Sequence, residues 1–415
     1  MDTKHLVRAA VPLAVGAVLL SACGGSSSSG KSGSSGGGGK TFSIGYQGPL
    51  SGGNASLGIN MNNGVKLAID QANAAKTLPY TLKLVSADDQ GSADGSPPAA
   101  QKEIADSSVI AVVGPAFSGA SNAAGKIYGQ ANLLMATPSA TLPALTDQGF
   151  PTFYRAVADD YAQGPPDADY LVKKAGKKKI FLIDDTTDYG KGLAAAFKAE
   201  VPKAGGSLAG TDSAPQTSTC VPGATGSTSQ YPSEASKVKN SGADAVFYAG
   251  YYCDFALFAK AVRNAGYTGQ LMSGDGSYDS HYISGAGAKN AEGTLLSCQC
   301  SSIADNPKGA QFVSDYKAAF GQDPGAYSAE AFDVANSIIS VLKTLGANPT
   351  RSAVVSAYAN VDYHGLTKEI VFGSDHNLKV QTAFLYQVKA GMLAYLGDLT
   401  ALTKYISRNH SGVAG

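Results

Sequence analysis

The chain has 415 residues, with 32 basic and 32 acidic side chains, so its formal net charge is zero and no polyanionic partner is implied. Charged residues make up only 15% and hydrophobic ones 44%, which excludes a highly charged disordered chain, while 50 glycines point to a packed, loop-rich protein. At about 150 residues per domain, the part after residue 40 is long enough for two lobes with separate cores.

The N-terminus reads as an export signal. Lys4, His5 and Arg8 precede an uncharged apolar run over 9–20, too short to span a bilayer, which ends in Leu20-Ser21-Ala22-Cys23. Those last four residues resemble the bacterial lipoprotein signal, which implies that residues 1–22 are removed and that Cys23 is lipidated. Residues 23–40 are then a Gly/Ser tether. This places the protein outside the cytoplasm, anchored to a membrane through Cys23.

From residue 41, short β-rich runs alternate with longer helical stretches. Strands are expected at 41–47, 81–87, 109–113 and 133–136, with helices at 56–75, 97–106 and 118–130. A second series follows residue 160: helix 161–175, strand 179–183, helix 190–204, strand 208–211, helix 233–240, strand 245–248 and helix 254–265. Repeated βα units predict an α/β fold with a parallel sheet and flanking helices in each half. The stretch 220–232, rich in Gly, Ser, Thr and Pro, reads as a surface insertion. Helices return at 308–320 and 328–345, and β-like runs at 369–372 and 382–388, without periodicity to say which half each joins. Residues 405–415 form a tail.

No enzyme motif is present. Residues 119–126 approach a phosphate-binding loop, but the glycines are misplaced and Ile127 stands where Ser or Thr is required. Gly285-Ala286-Gly287 lacks the third glycine of a dinucleotide site and the strand before it. Asp184, Asp185 and Asp188 fit helix capping better than a metal site, and no cofactor is expected. The basic cluster Lys173, Lys174, Lys177, Lys178 and Lys179 has no interleaved aromatic residues and signals no nucleic acid. Beyond Cys23, Cys220, Cys253, Cys298 and Cys300 are even in number and suit disulfides in an oxidising compartment better than zinc, because the five histidines are scattered.

The run Ile44-Gly45-Tyr46-Gln47-Gly48-Pro49-Leu50-Ser51-Gly52, with Gly58, Gly64 and Lys66-Leu67-Ala68-Ile69-Asp70-Gln71-Ala72-Asn73 after it, resembles the opening of type I solute-binding proteins. These are the receptors that feed ABC importers of branched-chain amino acids. Further matches follow in order at Asp88-Asp89, Val112-Val113-Gly114, Thr137-Pro138-Ser139-Ala140-Thr141, Phe153-Tyr154-Arg155, Gln163-Gly164, Asp188-Tyr189-Gly190-Lys191-Gly192 and Gly250-Tyr251-Tyr252, so that the resemblance spans about residues 41–400.

The resemblance implies two α/β lobes joined by three crossovers, near Asp160, Ser297 and residues 373–379, with the ligand cleft between them. The first lobe would comprise 41–160 and 298–375, the second 161–297 and 376–404. The function implied is capture of a small amino acid, branched-chain or related, for delivery to a permease whose ATPase subunits supply the energy. The receptor itself would be a monomer without enzymatic activity. A receptor for an amide, urea or aromatic acid, or a sensing subunit without transport, is the alternative.

Carried over by position, Ser118 and the segment Ser139, Ala140, Thr141 would clamp the ligand carboxylate. Without the resemblance they would read as a helix cap and a turn. Asp275 would receive the ammonium, and Tyr189 and Tyr251 would close over the ligand from the second lobe. Leu57, which stands where relatives carry a bulky aromatic residue, and Phe117 are also expected at the ligand site, and Gln90 and Phe117 stand where some relatives carry a disulfide. The remaining cysteines are expected as Cys220 with Cys253 and Cys298 with Cys300.

Overall fold

A computed structural model of the chain describes residues 39–217 and 231–404. The export signal, Cys23, most of the tether, Cys220 and the tail lie outside the described residues.

The first sheet comprises β1 (Thr41–Gly48), β2 (Thr81–Asp88), β3 (Val109–Val113), β4 (Leu134–Thr137) and β5 (Phe153–Arg155). All pairs are parallel, in the order β2-β1-β3-β4-β5. Its central strand β3, Val-Ile-Ala-Val-Val, is buried throughout, as an unbroken apolar run covered by helices on both faces must be.

The second sheet contains β6 (Lys179–Asp184), β7 (Ser207–Ser213), β8 (Ala245–Ala249), β9 (Gln270–Ser273) and β10 (Leu295–Cys298). A separate two-residue ladder, β11 (Tyr363–His364) with β12 (Glu369–Ile370), precedes the last strands, β13 (Phe384–Lys389) and β14 (Met392–Asp398). The second sheet has seven strands in the order β14-β13-β10-β9-β8-β6-β7. It departs from the expected all-parallel pattern at one edge, where β10–β13 and β13–β14 are antiparallel. The tight Ala390-Gly391 turn, with φ of 51° and 75°, makes a hairpin of strands that a crossover helix would otherwise have had to join.

Between β10 and β13 the chain leaves the second sheet, and the helix Ser328–Leu345 packs on the helix Ala55–Ala74 and against β3 and β4. The polypeptide therefore passes between the sheets three times: after β5, after β10 and before β13. The helix expected at 161–175 begins later, at Gly164, where Pro165 and Pro166 occupy first-turn positions that need no N–H, and it ends in a π-turn over Tyr170–Lys174.

Arg155 fastens one of these passages. Its fully buried guanidinium group donates to Asn377 Oδ1 at 2.8 Å, to the carbonyls of Leu142 at 2.5 Å and Pro143 at 3.1 Å, and to Thr146 Oγ1 at 3.3 Å. One side chain thereby ties the end of β5, the loop after β4 and the third passage together.

Candidate functional site

The site forms where the carboxyl ends of the parallel strands of both lobes face each other, the usual position for ligands in this architecture. After β3 the chain turns at Gly114, where φ is +126° and a Cβ would fall 2.4 Å from the Gln47 carbonyl oxygen, so that only glycine fits. That turn delivers Phe117 and Ser118 to the start of the helix Ser118–Gln130. Ser118 is buried, and its hydroxyl accepts from the Leu142 amide at 3.2 Å. The loop after β4 brings in Ser139, whose hydroxyl donates to the Ala116 carbonyl at 2.7 Å.

From the second lobe, the turn after β9 supplies Asp275, which is 3% exposed. Two phenols converge on it from opposite sides of the cleft. Tyr189 donates to Oδ1 and Tyr327 to Oδ2, each at 2.8 Å. Tyr189 Oη also accepts from the Gly276 amide at 3.0 Å. Burial pushes the Asp275 carboxyl up to about 6, against the hydrogen bonds from Tyr189, Tyr327 and Gln163, which favour its ionised form. Asp160 and Asp167 are buried nearby, and desolvation drives both of their carboxyls far above the ordinary range. The Thr141 hydroxyl lies near enough to Asp160 to temper that rise, although neither group meets full hydrogen-bond geometry.

Phe117 and Tyr251 stack across the cleft with ring centroids 4.3 Å apart, and Tyr189 stands 5.0 Å from Tyr251. Away from the cleft floor, Ser56 Oγ donates to Asp279 Oδ2 at 2.8 Å, a further bond between the lobes.

A single cavity is bounded by Leu57, Phe117, Ser118 and Ser139 from the first lobe and Tyr189, Tyr251, Asp275 and Gly276 from the second, with Tyr327 between them. Seven of the nine residues expected at the site therefore line one space. Ala140 and Thr141 do not line it: the Ala140 amide is held by Thr137 Oγ1 at 3.0 Å, and Thr141 faces the buried Asp160. Tyr327 and Gly276 were not anticipated. Tyr327 sits in left-handed backbone, φ 61°, immediately before the helix Ser328–Leu345, a conformation with no signature in its side chain. A larger, more open cavity of about 470 Å³ beside Asp279 and Gln322 contains none of the expected residues.

Asp184 and Asp185 brace a turn, accepting from the amides of Thr186 and Thr187 at 2.8 and 3.0 Å. The helix cap they were expected to provide is Thr187, whose hydroxyl accepts from the Gly190 amide. Among the described residues no cluster of three His, Cys, Asp or Glu could hold a metal ion, and no helix is long and apolar enough to cross a membrane. Cys298 and Cys300 are disulfide-bonded at the end of β10. Cys253 is disulfide-bonded as well, and its expected partner lies outside the described residues.

The sequence model described as Periplasmic binding protein matches residues 41–392. The chain belongs to the periplasmic binding protein family. More narrowly, it is similar to binding proteins of branched-chain amino acid transporters. It is 28% identical to a Leu/Ile/Val-binding protein homologue of Brucella melitensis, over 76% of this chain and 82% of that one. The substrate-binding protein of a branched-chain amino acid transporter from Streptococcus pneumoniae, solved in complex with isoleucine, superposes with a TM-score of 0.75. It shares 26% identity over 86% of this chain and all of that one. A solute-binding protein from R. palustris, solved with benzoate, has a TM-score of 0.76 at 20% identity, over 87% of this chain and 96% of that one, a likeness of fold.

Proposed function

We propose that this binding protein is an extracytoplasmic lipoprotein, anchored through Cys23, that captures an α-amino acid, branched-chain or related, and delivers it to an ABC permease served by ATPase subunits. In this reading residues 41–160 with 298–375 form the first lobe, and 161–297 with 376–404 the second. They close on the ligand by bending at the three passages, and the closed form docks on the permease.

The observation that carries the proposal is the pairing of Asp275 with two serine hydroxyls, Ser118 and Ser139, on one cavity that no lysine or arginine lines. A buried carboxylate with no cationic partner is costly unless something positive reaches it, and an α-ammonium group supplies that charge. The ligand carboxylate then falls to the Ser118 hydroxyl at the start of the helix Ser118–Gln130, where the helix dipole favours negative charge, and the Ser139 hydroxyl joins it by turning from the Ala116 carbonyl. Hydrogen bonds to charged groups contribute about 1.5 to 3 kcal/mol each, so a few of them support a micromolar complex at about −8 kcal/mol.

The alternative ligand, an aromatic acid such as the benzoate held by the R. palustris protein, has no ammonium and leaves Asp275 unopposed. The test is thermal melting of the protein, freed of ligand by unfolding and refolding, against the twenty amino acids, short amides, urea and aromatic acids. A higher midpoint with one or a few α-amino acids is expected. A rise with aromatic acids or amides alone would overturn the assignment.

A further inference from the structure

The second passage leaves β10 through Ser297-Cys298-Gln299-Cys300, and along such a segment successive side chains fall on opposite sides. Cys298 and Cys300 share one side and are bonded to each other, with Gln299 enclosed in the ring they form. Their Cα atoms are 5.0 Å apart, against about 6.6 Å for two residues of extended strand, so the chain is bent at Gln299. So short a ring removes little chain entropy from the unfolded state, because that contribution grows with loop length. What the bridge fixes is the local course of the passage.

Gln299 is fully buried and does not line the ligand cavity, yet its amide joins two residues that do bear on Asp275. Its Nε2 donates to Gln163 Oε1 at 2.9 Å, and Gln163 Nε2 donates in turn to the Ser297 carbonyl at 3.1 Å and to Ser297 Oγ at 2.8 Å. The Ser297 carbonyl can only accept, so this series of bonds fixes the orientation of both amides and turns Gln299 Oε1 towards Tyr327. The Tyr327 hydroxyl has one proton and two acceptors, Asp275 Oδ2 at 2.8 Å and Gln299 Oε1 at 3.4 Å. Gln163 also reaches the Asp275 carboxylate.

We propose that Gln299 is a positioning residue for recognition of the ligand ammonium, and that the Cys298–Cys300 bridge holds it in place. The inference rests on the amino-acid receptor reading above and deepens it. Without the bridge the passage can extend towards the strand repeat, the Gln299 amide leaves Gln163 and Tyr327, and Asp275 loses the fixed set of donors that aims it at the ammonium.

The test is a double-mutant cycle read by titration calorimetry at pH 7.5, with the ligand-free melting midpoint of each protein recorded. Wild type, Cys298→Ala/Cys300→Ala, Gln299→Met and the triple variant are titrated with alanine, valine, leucine and isoleucine. Each is also titrated with propionate, 3-methylbutanoate, 4-methylpentanoate and 3-methylpentanoate, the counterparts without the amine. Removing the bridge and Gln299→Met should each weaken amino-acid binding about three- to tenfold, the net effect of one hydrogen bond, and leave the amine-free acids within about twofold. In the Gln299→Met background, removing the bridge should weaken binding by no more than about twofold further, because both changes break the same contact. A bridge that only braces the fold would lower affinity for both series of acids alike, and by the same factor with or without Gln299. That result, or undiminished affinity in folded variants, overturns the proposal and leaves the receptor reading standing. Should the bridge variant not fold, Gln299→Met against the two series of acids still decides. If none of the four amino acids binds the wild type, the receptor reading falls and this proposal with it.

Discussion

Replacing Asp275 with asparagine should separate function from stability in opposite directions. The carboxyl is displaced from its ordinary 3.8 to about 6 by burial, and at about 1.4 kcal/mol per tenfold change in proton affinity the ionised group costs the folded state about 3 kcal/mol. The folded protein holds this proton to higher pH than the unfolded chain, so the contribution of Asp275 to stability is most favourable below about pH 4, declines as pH rises towards about 6, and carries the full cost above it.

Asp275→Asn keeps the shape and removes the charge. Its single carbonyl oxygen can accept from only one of Tyr189 and Tyr327, a loss of about 1 kcal/mol. The net expectation is a ligand-free protein about 2 kcal/mol more stable than wild type at pH 8, with no gain at pH 4. Binding should move the other way, because truncating one side of a buried charge pair costs about 2 to 5 kcal/mol, at least about thirtyfold in affinity. Melting of ligand-free protein from pH 4 to 8, with titration calorimetry at pH 8, measures both. A variant less stable than wild type at pH 8 that still binds its amino acid with undiminished affinity would refute the reasoning.

Other residues make separate claims. Arg155→Ala should lower stability by about 3 kcal/mol or more, because it orphans Asn377 and the carbonyls of Leu142 and Pro143; a loss below about 1 kcal/mol on chemical denaturation would contradict its role as the tie between strand end and passage. Glu103 is fully buried beneath β1, hydrogen-bonded by Tyr128, and burial lifts its carboxyl to about 8. Wild-type stability should therefore fall as pH rises from about 5 to 8, and Glu103→Gln should flatten that slope; equal slopes in the two proteins would dismiss the shift. Tyr327→Phe deletes a hydrogen bond from the first lobe to Asp275 and should weaken ligand binding about tenfold while lowering ligand-free stability by about 1 kcal/mol, whereas unchanged affinity would remove Tyr327 from the closing contact.

The alternation of β-rich and helical runs made the doubly layered architecture legible, because parallel strands covered on both faces must be continuous apolar segments such as Val109–Val113. The antiparallel edge was not legible. Val388 belongs to a strand whichever way that strand runs, and direction is set by the two-residue turn at Ala390-Gly391 and by which sheet has an open edge. Similarly, the run at 369–372 is β-like in composition, yet only Glu369–Ile370 forms a ladder, with Tyr363–His364, and Phe372 makes a single isolated bridge to Leu378.

At the site, the family resemblance pointed to Ser118, Ser139, Tyr189, Tyr251 and Asp275, and the structure sets each of them after the carboxyl end of a strand, on one cavity. Tyr327 does not follow one. It reaches Asp275 from 52 residues away through a left-handed backbone kink, and the only hint was Gly325 shortly before a long amphipathic helix. Thr141 illustrates the opposite limit: the resemblance implies a hydroxyl clamp there, but the loop that Arg155 pins turns it towards Asp160.

The central claim is that this cleft reads an α-ammonium group through Asp275. Titration calorimetry at pH 7.5 with valine against 3-methylbutanoate, its counterpart without the amine, isolates that group while holding the carboxylate and side chain constant. The account predicts measurable binding of valine and a loss of at least about thirtyfold for 3-methylbutanoate in the wild type, a difference that shrinks in Asp275→Asn. Equal binding of the two acids by the wild type would contradict it.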